Sequence, residues 1–379
     1  MSVLYIGYRL TDGGAPHQGM AALHLARCGL DVLFATWSND PAPSWLDRFP
    51  SLRYRAFRKR GLLSAVRFLA GLVWLVVSRR WDTIYVQGAQ HTPFLLWLPA
   101  LKGGRTVVYH TQDYLEPGQH RLYAWCERYF ARRADWVISN EINRARFMAS
   151  NYRLRRMPEV IRTALPAWWE VPRDVGSIRR EILERAGVRE EEDPCLVMAG
   201  GPYADDRMSP QLVEAMAGLP RRFVLVFTGM QDGPGSERCR AHADGCRLDQ
   251  RVVTYGRVPY ARLLEICAAC DLGVLLYPNT GVGHFYQCPG RLSEYLRTGL
   301  PFVASNFPGL ELLTLKHGLG AVADPHDPDR IRAAIQALAS LDRRERDARR
   351  DRILSLALSA FAYEAGAEPV FERVLRSKK

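Results

Sequence analysis

The 379-residue chain has no apolar run long enough to cross a bilayer, no low-complexity tract and no second Cys/His pair at zinc spacing. These gaps exclude a membrane-spanning protein, a disordered chain and a zinc module. No recognition-helix, RRM, KH or zinc-finger pattern accompanies the net charge of +12, so nucleic acid is not expected as a partner. Met1 to Gly7 runs straight into a strand-like stretch with no basic n-region or cleavage site, from which a cytoplasmic protein is expected. Eight cysteines in a chain of this length suit reduced, mostly buried thiols, because a disulfide framework is denser and shorter. Cys267 and Cys270 form a C-x-x-C within an apolar run and read as helix core.

What is present is the composition of a soluble globular protein, 47% apolar and 24% charged, at a length that favours two domains. Short apolar runs alternate with helical stretches in both halves, the pattern of βαβ units and parallel sheets. In the first half strands are predicted at 3–8, 31–36, 52–57, 83–87, 106–109, 136–139 and 159–162, with helices at 19–28, 62–78, 92–101, 119–133 and 142–151. In the second, strands fall at 195–200, 222–228, 251–255, 272–277, 301–305 and 320–324, with helices at 211–217, 260–269, 291–298 and 328–340. The expected fold is α/β, two Rossmann-like lobes with a cleft between them. Pro166 to Pro172, whose flanking prolines disfavour a continuous helix, reads as the linker, giving domains 1–172 and 173–355.

The most informative stretch is Cys288 to Ser305. Pro289 and Gly290 break the preceding structure, and a helix opening near Arg291 and Leu292 presents unpaired backbone N–H groups and a positive dipole end. A phosphate fits there. Arg291 adds a cation that forks onto phosphate oxygens, and Glu294, one turn in, is placed to accept from vicinal hydroxyls such as those of a ribose. In register, Pro289, Glu294, Tyr295, Gly299 and Pro301 resemble the donor-site signature of retaining, nucleotide-sugar-dependent glycosyltransferases of the GT-B fold, especially family four. Arg291 stands where that family usually has Lys.

The resemblance implies roles for residues elsewhere. Gly13 and Gly14, in a loop after the first strand, resemble the Gly-rich loop beside the donor sugar and β-phosphate, although a plain turn accounts for them equally. In Tyr109 to Tyr114, His110 and Asp113 match a His or His-x-x-Asp loop facing the donor sugar; a His satisfied by its own loop is the alternative. Ala134 to Glu141 resembles a family segment before an exposed helix, where Asn140 is expected to cap. Gly201 and Arg207 fall where cations neutralise the diphosphate, yet Met208 to Gln211 offers no second cation. Tyr255, Gly256, Arg257 and Val258 resemble the loop that holds the nucleotide base. Family four also carries a Glu eight positions before Glu294, and here that position is Tyr286.

The implied activity is transfer of a sugar from a nucleotide diphosphate donor to a saccharide or lipid-linked acceptor, with retention, in cell-surface glycan or polysaccharide synthesis. No metal and no cofactor beyond the nucleotide sugar is expected. His110, Asp113 and Arg291 are the candidate catalytic residues. A nucleotide-sugar epimerase and a non-catalytic sugar-nucleotide or glycan-binding subunit are the alternatives. The family also places a C-terminal helix back on the first lobe, expected here in 356–379. Leu62 to Val77 is nearly continuous apolar sequence between Arg58-Lys59-Arg60 and Arg79-Arg80, but its sixteen residues fall short of the roughly twenty that span a bilayer. It is either buried core or an interfacial helix meeting an anionic membrane surface. Arg343 to Arg352 reads as a solvated helix face.

Overall fold

A computed structural model describes residues 1–10, 18–114, 120–172 and 174–376, apart from the side chains of Leu62 and Asp249. The chain forms two compact units, Met1–Thr163 with Tyr363–Lys379, and Ala164–Ala362.

The first unit is built from β1 (Ser2–Ile6), α1 (Met20–Arg27), β2 (Asp31–Trp37), β3 (Leu52–Phe57), α2 (Gly61–Ser78), β4 (Thr83–Gln87), β5 (Thr106–His110), α3 (Arg121–Ala131), β6 (Trp136–Ser139), α4 (Ile142–Tyr152) and β7 (Glu159–Val160). Its strands are all parallel, in the order β3-β2-β1-β4-β5-β6-β7. Every residue of β4 and β5 is buried, as expected when helices cover both faces of a parallel sheet. The stretch 92–101, expected to be helical, instead holds a 3₁₀ segment, Ala89–Phe94, followed by turns. Pro93 and Pro99 remove the donors a longer α-helix needs.

The second unit runs α5 (Gly176–Ala186), β8 (Cys195–Met198), α6 (Ser209–Ala217), β9 (Phe223–Phe227), α7 (Pro234–Gly245), β10 (Val252–Thr254), α8 (Tyr260–Ala269), β11 (Leu272–Leu275), α9 (Val282–Phe285), α10 (Gly290–Thr298), β12 (Phe302–Ser305), α11 (Pro308–His317), β13 (Gly320–Ala323), α12 (Pro328–Ala339) and α13 (Arg343–Leu358). Its parallel strands are ordered β10-β9-β8-β11-β12-β13. Cys267 and Cys270 are buried free thiols. The Arg-rich first half of α13 is largely exposed, while Ile353 and Ala357 join the core.

The division falls at Thr163/Ala164, ahead of the proline-flanked segment expected to be the linker. Leu165 donates its N–H to Ser293 Oγ at 2.6 Å, and Arg297 donates to the carbonyls of Ala167 and Trp169 at 3.2 and 2.6 Å. The prolines interrupt helix but leave carbonyls for Arg297 to capture, which ties this segment to the second unit. The last helix, α14 (Tyr363–Arg376), belongs to the first. There the Phe371 ring stacks on His24 at 5.6 Å, and Arg373 pairs with Glu159 at 2.6 Å.

Candidate functional site

Open α/β sheets bind ligands beyond the carboxyl ends of their strands, where the strand order reverses. In the second unit that point lies between β8 and β11. Gly200 follows β8 there, and a Cβ on it would stand 2.8 Å from the Val274 carbonyl oxygen of β11, so no larger residue fits. The Tyr295 ring of α10 fills the space beside Gly273 and donates its hydroxyl to the Met198 carbonyl at 2.9 Å. Its hydroxyl thus ties α10 to the end of β8.

Pro289, with extended backbone, precedes the first turn of α10, and Gly299 ends the helix in the left-handed conformation at φ 70°. Nine residues therefore form a complete helix whose N-terminus opens at Gly290, Arg291 and Leu292 on the strand-end edge. Glu294 is 3% exposed and lies 2.8 Å from the Arg291 guanidinium. Arg291 also donates to Thr228 Oγ1 at 3.0 Å and approaches Cys267 Sγ at 3.6 Å. Burial works against its charge, but Glu294 and its other neighbours more than offset this, holding its pKa above the ordinary arginine value. Burial and the nearby Glu294 push the Tyr260 hydroxyl well above its usual range. Arg291, expected from the sequence as an open cation, is thus engaged with Glu294, Thr228 and Cys267.

Arg207 follows β8 and lays its guanidinium over the Tyr277 ring at 4.9 Å, with Gly201 beside it. Among the described residues it has no carboxylate partner. Tyr286 packs edge-on against Phe285, which stacks on Phe307. A Cβ on Gly309, at the start of α11, would lie 2.5 Å from the Gln287 nitrogen, so the loop before α10 rests directly on that helix. Gly256 and Arg257 are exposed after β10, and Val258 is half-buried. Tyr255 is turned away from the loop: its hydroxyl donates to Glu181 of α5 at 2.9 Å, and Arg185 covers its ring at 4.6 Å.

In the first unit the reversal lies between β1 and β4. A pocket of about 480 Å³ opens there, lined by Gln87, Gly88, Gln90, Thr111, Gln112 and Asp113, among others. His110 is the last residue of β5 and is buried; its Nδ1 lies 2.6 Å from the Tyr85 hydroxyl, and among the described residues its Nε2 has no hydrogen-bond partner. Burial drives its pKa down to about 3, so the ring is neutral at physiological pH. Gln87 stands opposite His110 in the sheet, and its side-chain amide oxygen accepts from the Tyr5 hydroxyl at 2.8 Å. Asp113 is exposed, with the buried Arg144 at 3.9 Å. Asn140 donates to the Gln112 carbonyl at 2.6 Å, and Glu141, rather than Asn140, caps α4 by accepting from the Arg144 N–H at 2.8 Å. Asn140 is instead committed to holding the pocket loop. Gly13 and Gly14 lie outside the described residues.

The sequence did not reveal Thr228, Tyr260 and Tyr277, which surround the second-unit residues. Their side chains are ordinary polar and aromatic types at strand and helix ends, and only the packing of strands and helices that are distant in sequence brings them to Arg291, Glu294 and Arg207. Among the described residues no three His, Cys, Asp or Glu side chains gather as a metal site.

Comparison with known proteins now gives this arrangement a family. Residues 12–168 match the glycosyl transferase 4-like domain, and residues 183–352 match the glycosyl transferases group 1 domain. The chain belongs to the group 1 glycosyltransferases and is a glycosyltransferase of the GT-B fold. Anabaena Alr3699/HepE, solved in complex with UDP and glucose, is 17% identical over 98% of both chains, with a TM-score of 0.77. Sucrose-phosphate synthase from Thermosynechococcus elongatus is 16% identical over 100% of both, with a TM-score of 0.76. No curated protein sequence matches the chain.

Proposed function

We propose that this enzyme transfers a sugar from a nucleoside diphosphate donor to a saccharide or lipid-linked acceptor, with retention at the anomeric carbon, in the assembly of a cell-surface glycan or polysaccharide. The observation that carries the donor assignment is the N-terminus of α10, open on the strand-end edge with Glu294 buried one turn in. The N–H groups of Gly290 and Arg291 hold the diphosphate, since that of Leu292 already donates to the Pro289 carbonyl, and Glu294 takes the ribose hydroxyl pair. Arg291 pairs with Glu294 at 2.8 Å and orients it, and is a positioning residue for it. Arg207 meets the charge that grows on the departing diphosphate as the glycosidic bond breaks. The complexes of HepE with UDP and UDP-glucose make uridine diphosphate sugars the first donors to try.

The first-unit pocket supports a saccharide acceptor. Its named lining is amides, a hydroxyl and one carboxylate, groups that exchange hydrogen bonds with sugar hydroxyls without demanding an anion. The neutral His110, with Nε2 unpartnered, is a hydrogen-bond partner for a hydroxyl at the reacting end. Membrane attachment is supported by α2. Leu63, Val66, Trp74 and Val77 are each more than half exposed, while Phe68, Leu72 and Leu75 fill the opposite, buried face. Such a stripe lies in the plane of a bilayer interface; among the described residues no helix is long and apolar enough to cross one.

The test is acceptor-dependent release of nucleoside diphosphate from a panel of nucleotide sugars, with the product anomer read by NMR. Release with the donor configuration kept supports the proposal; an inverted product removes retention. Tyr286, in place of a carboxylate, favours one other reading, a subunit that binds sugar nucleotides without turnover. Saturable binding with no release across the panel selects it, and a new sugar epimer without acceptor selects an epimerase.

A further inference from the structure

The opposite edge of the first sheet carries a second feature that the donor and acceptor sites do not use. A groove of about 1020 Å³ opens where β5, β6 and β7 begin, lined by Thr106, Trp136, Val137 and Glu159 from those strand starts. It lies at the far end of the strands from His110 and the acceptor pocket. Its walls hold Lys102, Arg105, Arg132, Arg133, Arg155 and Arg156 against only Asp135 and Glu159.

Both carboxylates are already neutralised. Asp135 pairs with Lys102 and accepts the Val107 N–H at 2.9 Å, while Glu159 pairs with Arg373 at 2.6 Å. Arg105 is spent on the carbonyls of Lys102 and Val76. The other four arginines are exposed, and among the described residues none has a carboxylate partner. Arg133 is held over the Tyr129 ring at 3.8 Å, which preorganises one cation at the wall. Apolar side chains stand among these charges: Leu101 and Met157 are exposed, and Val77 of α2 adjoins the Val76 carbonyl that Arg105 holds.

We propose that this groove docks the phosphate headgroups of an anionic membrane. Four like charges without counter-ions around a concave surface repel one another, and phosphates relieve that repulsion. Exposed Leu and Met beside them match the boundary between headgroups and acyl chains, which a soluble phosphate or a nucleic acid does not offer. The groove extends the reading of a membrane-borne acceptor and adds to α2 a second, electrostatic point of attachment.

The test is sedimentation of the full chain with vesicles of phosphatidylcholine alone and of phosphatidylcholine mixed with phosphatidylglycerol. Each basic residue near an anionic surface contributes about fivefold in partitioning. The variant R132S/R133S/R155S/R156S is expected to lose two to three orders of magnitude in binding to the mixed vesicles at low salt. Its melting temperature and its activity on a soluble acceptor should match the parent, since these side chains make no ion pairs. A companion variant, V66S/V73S/V77S, probes α2 and should lose the salt-resistant part of binding instead. Unchanged partitioning of the arginine variant overturns the groove while leaving α2 and the transferase reading intact. Arginine-dependent capture of inorganic pyrophosphate or an oligonucleotide, with no preference for the anionic vesicles, overturns the membrane as occupant.

Discussion

The two units use one construction for opposite chemistry. Each has a parallel sheet whose order reverses once, between β1 and β4 in the first and between β8 and β11 in the second. At the first reversal stand a neutral histidine, a glutamine amide and an exposed aspartate. At the second stand a helix N-terminus, a buried Arg–Glu pair and an arginine on a tyrosine ring. Topology thus places a strand-end edge in each unit, and under the proposed function the side chains there separate a polyol site from a phosphate site.

The contrast breaks most severely at Arg291. Arg291→Ala strands Glu294 without its cation in a buried site, and losing one partner of such a pair typically costs about 3 to 5 kcal/mol. Urea unfolding should show that loss, and turnover should fall by about two orders of magnitude because Glu294 is no longer oriented. Arg291→Lys restores a charge without the fork and should recover part of both. Wild-type stability in the alanine variant would mean that the pair is solvated.

The first unit should instead break with acid. The folded pKa of His110 is depressed to about 3, and that of His91 to about 4, both by burial. The folded state therefore binds fewer protons than the unfolded state below the ordinary histidine value of 6.5, and stability falls as pH drops from there toward the folded values. Each histidine contributes a slope approaching about 1.4 kcal/mol per pH unit within that window. Above it the contribution is constant. His110→Gln should remove one histidine's share of the acid sensitivity in unfolding measured at about pH 7 and about pH 5, with His91 and His24, both also depressed by burial, retaining theirs. Activity should show no step near the ordinary histidine value attributable to His110; a step there that vanishes in the variant would show that its ring titrates.

Glycines sharpen the comparison at a smaller scale. Gly200→Ala drives a methyl against a backbone carbonyl that cannot yield, for about 1 to 3 kcal/mol. Gly88, at the first reversal, has φ 84°, and Gly88→Ala is expected to cost about 1 to 2 kcal/mol from backbone strain. Calorimetric melting of both variants should place the larger loss at Gly200.

Much of this was legible in the sequence, for a physical reason. Strands 83–87 and 136–139 and helix 260–269 match the structure to the residue, because continuous apolar runs and 3.6-residue spacing survive into the core, and strand 52–57 also matches although it buries only Leu52. The bounds of α10 were readable from Pro289, Gly290 and Gly299, whose backbone preferences act locally. Not legible was α7, whose polar sequence buries only Cys239 and Ala243 and so carries little periodicity. Nor was the engagement of Arg291, since its partners Thr228 and Cys267 are distant in sequence and meet it only through strand order. Tyr255 is the sharpest case: its position after β10 matched a base-holding loop, but α5, a helix the sequence did not announce, takes its hydroxyl.

That residue supplies the smallest and most discriminating test. Tyr255→Phe removes the hydrogen bond to Glu181 while leaving the ring under Arg185. Glu181 keeps Arg262 as an ion-pair partner, so no buried charge is abandoned. The expected cost is about 0.5 to 1.5 kcal/mol of stability. If the base rests on the exposed backbone of Gly256 and Arg257 alone, titration calorimetry with a nucleoside diphosphate should give the same affinity in variant and wild type. A fall in affinity beyond the measured stability loss would instead put the Tyr255 hydroxyl in the donor site, and would extend the proposed donor edge from α10 to the far end of the sheet.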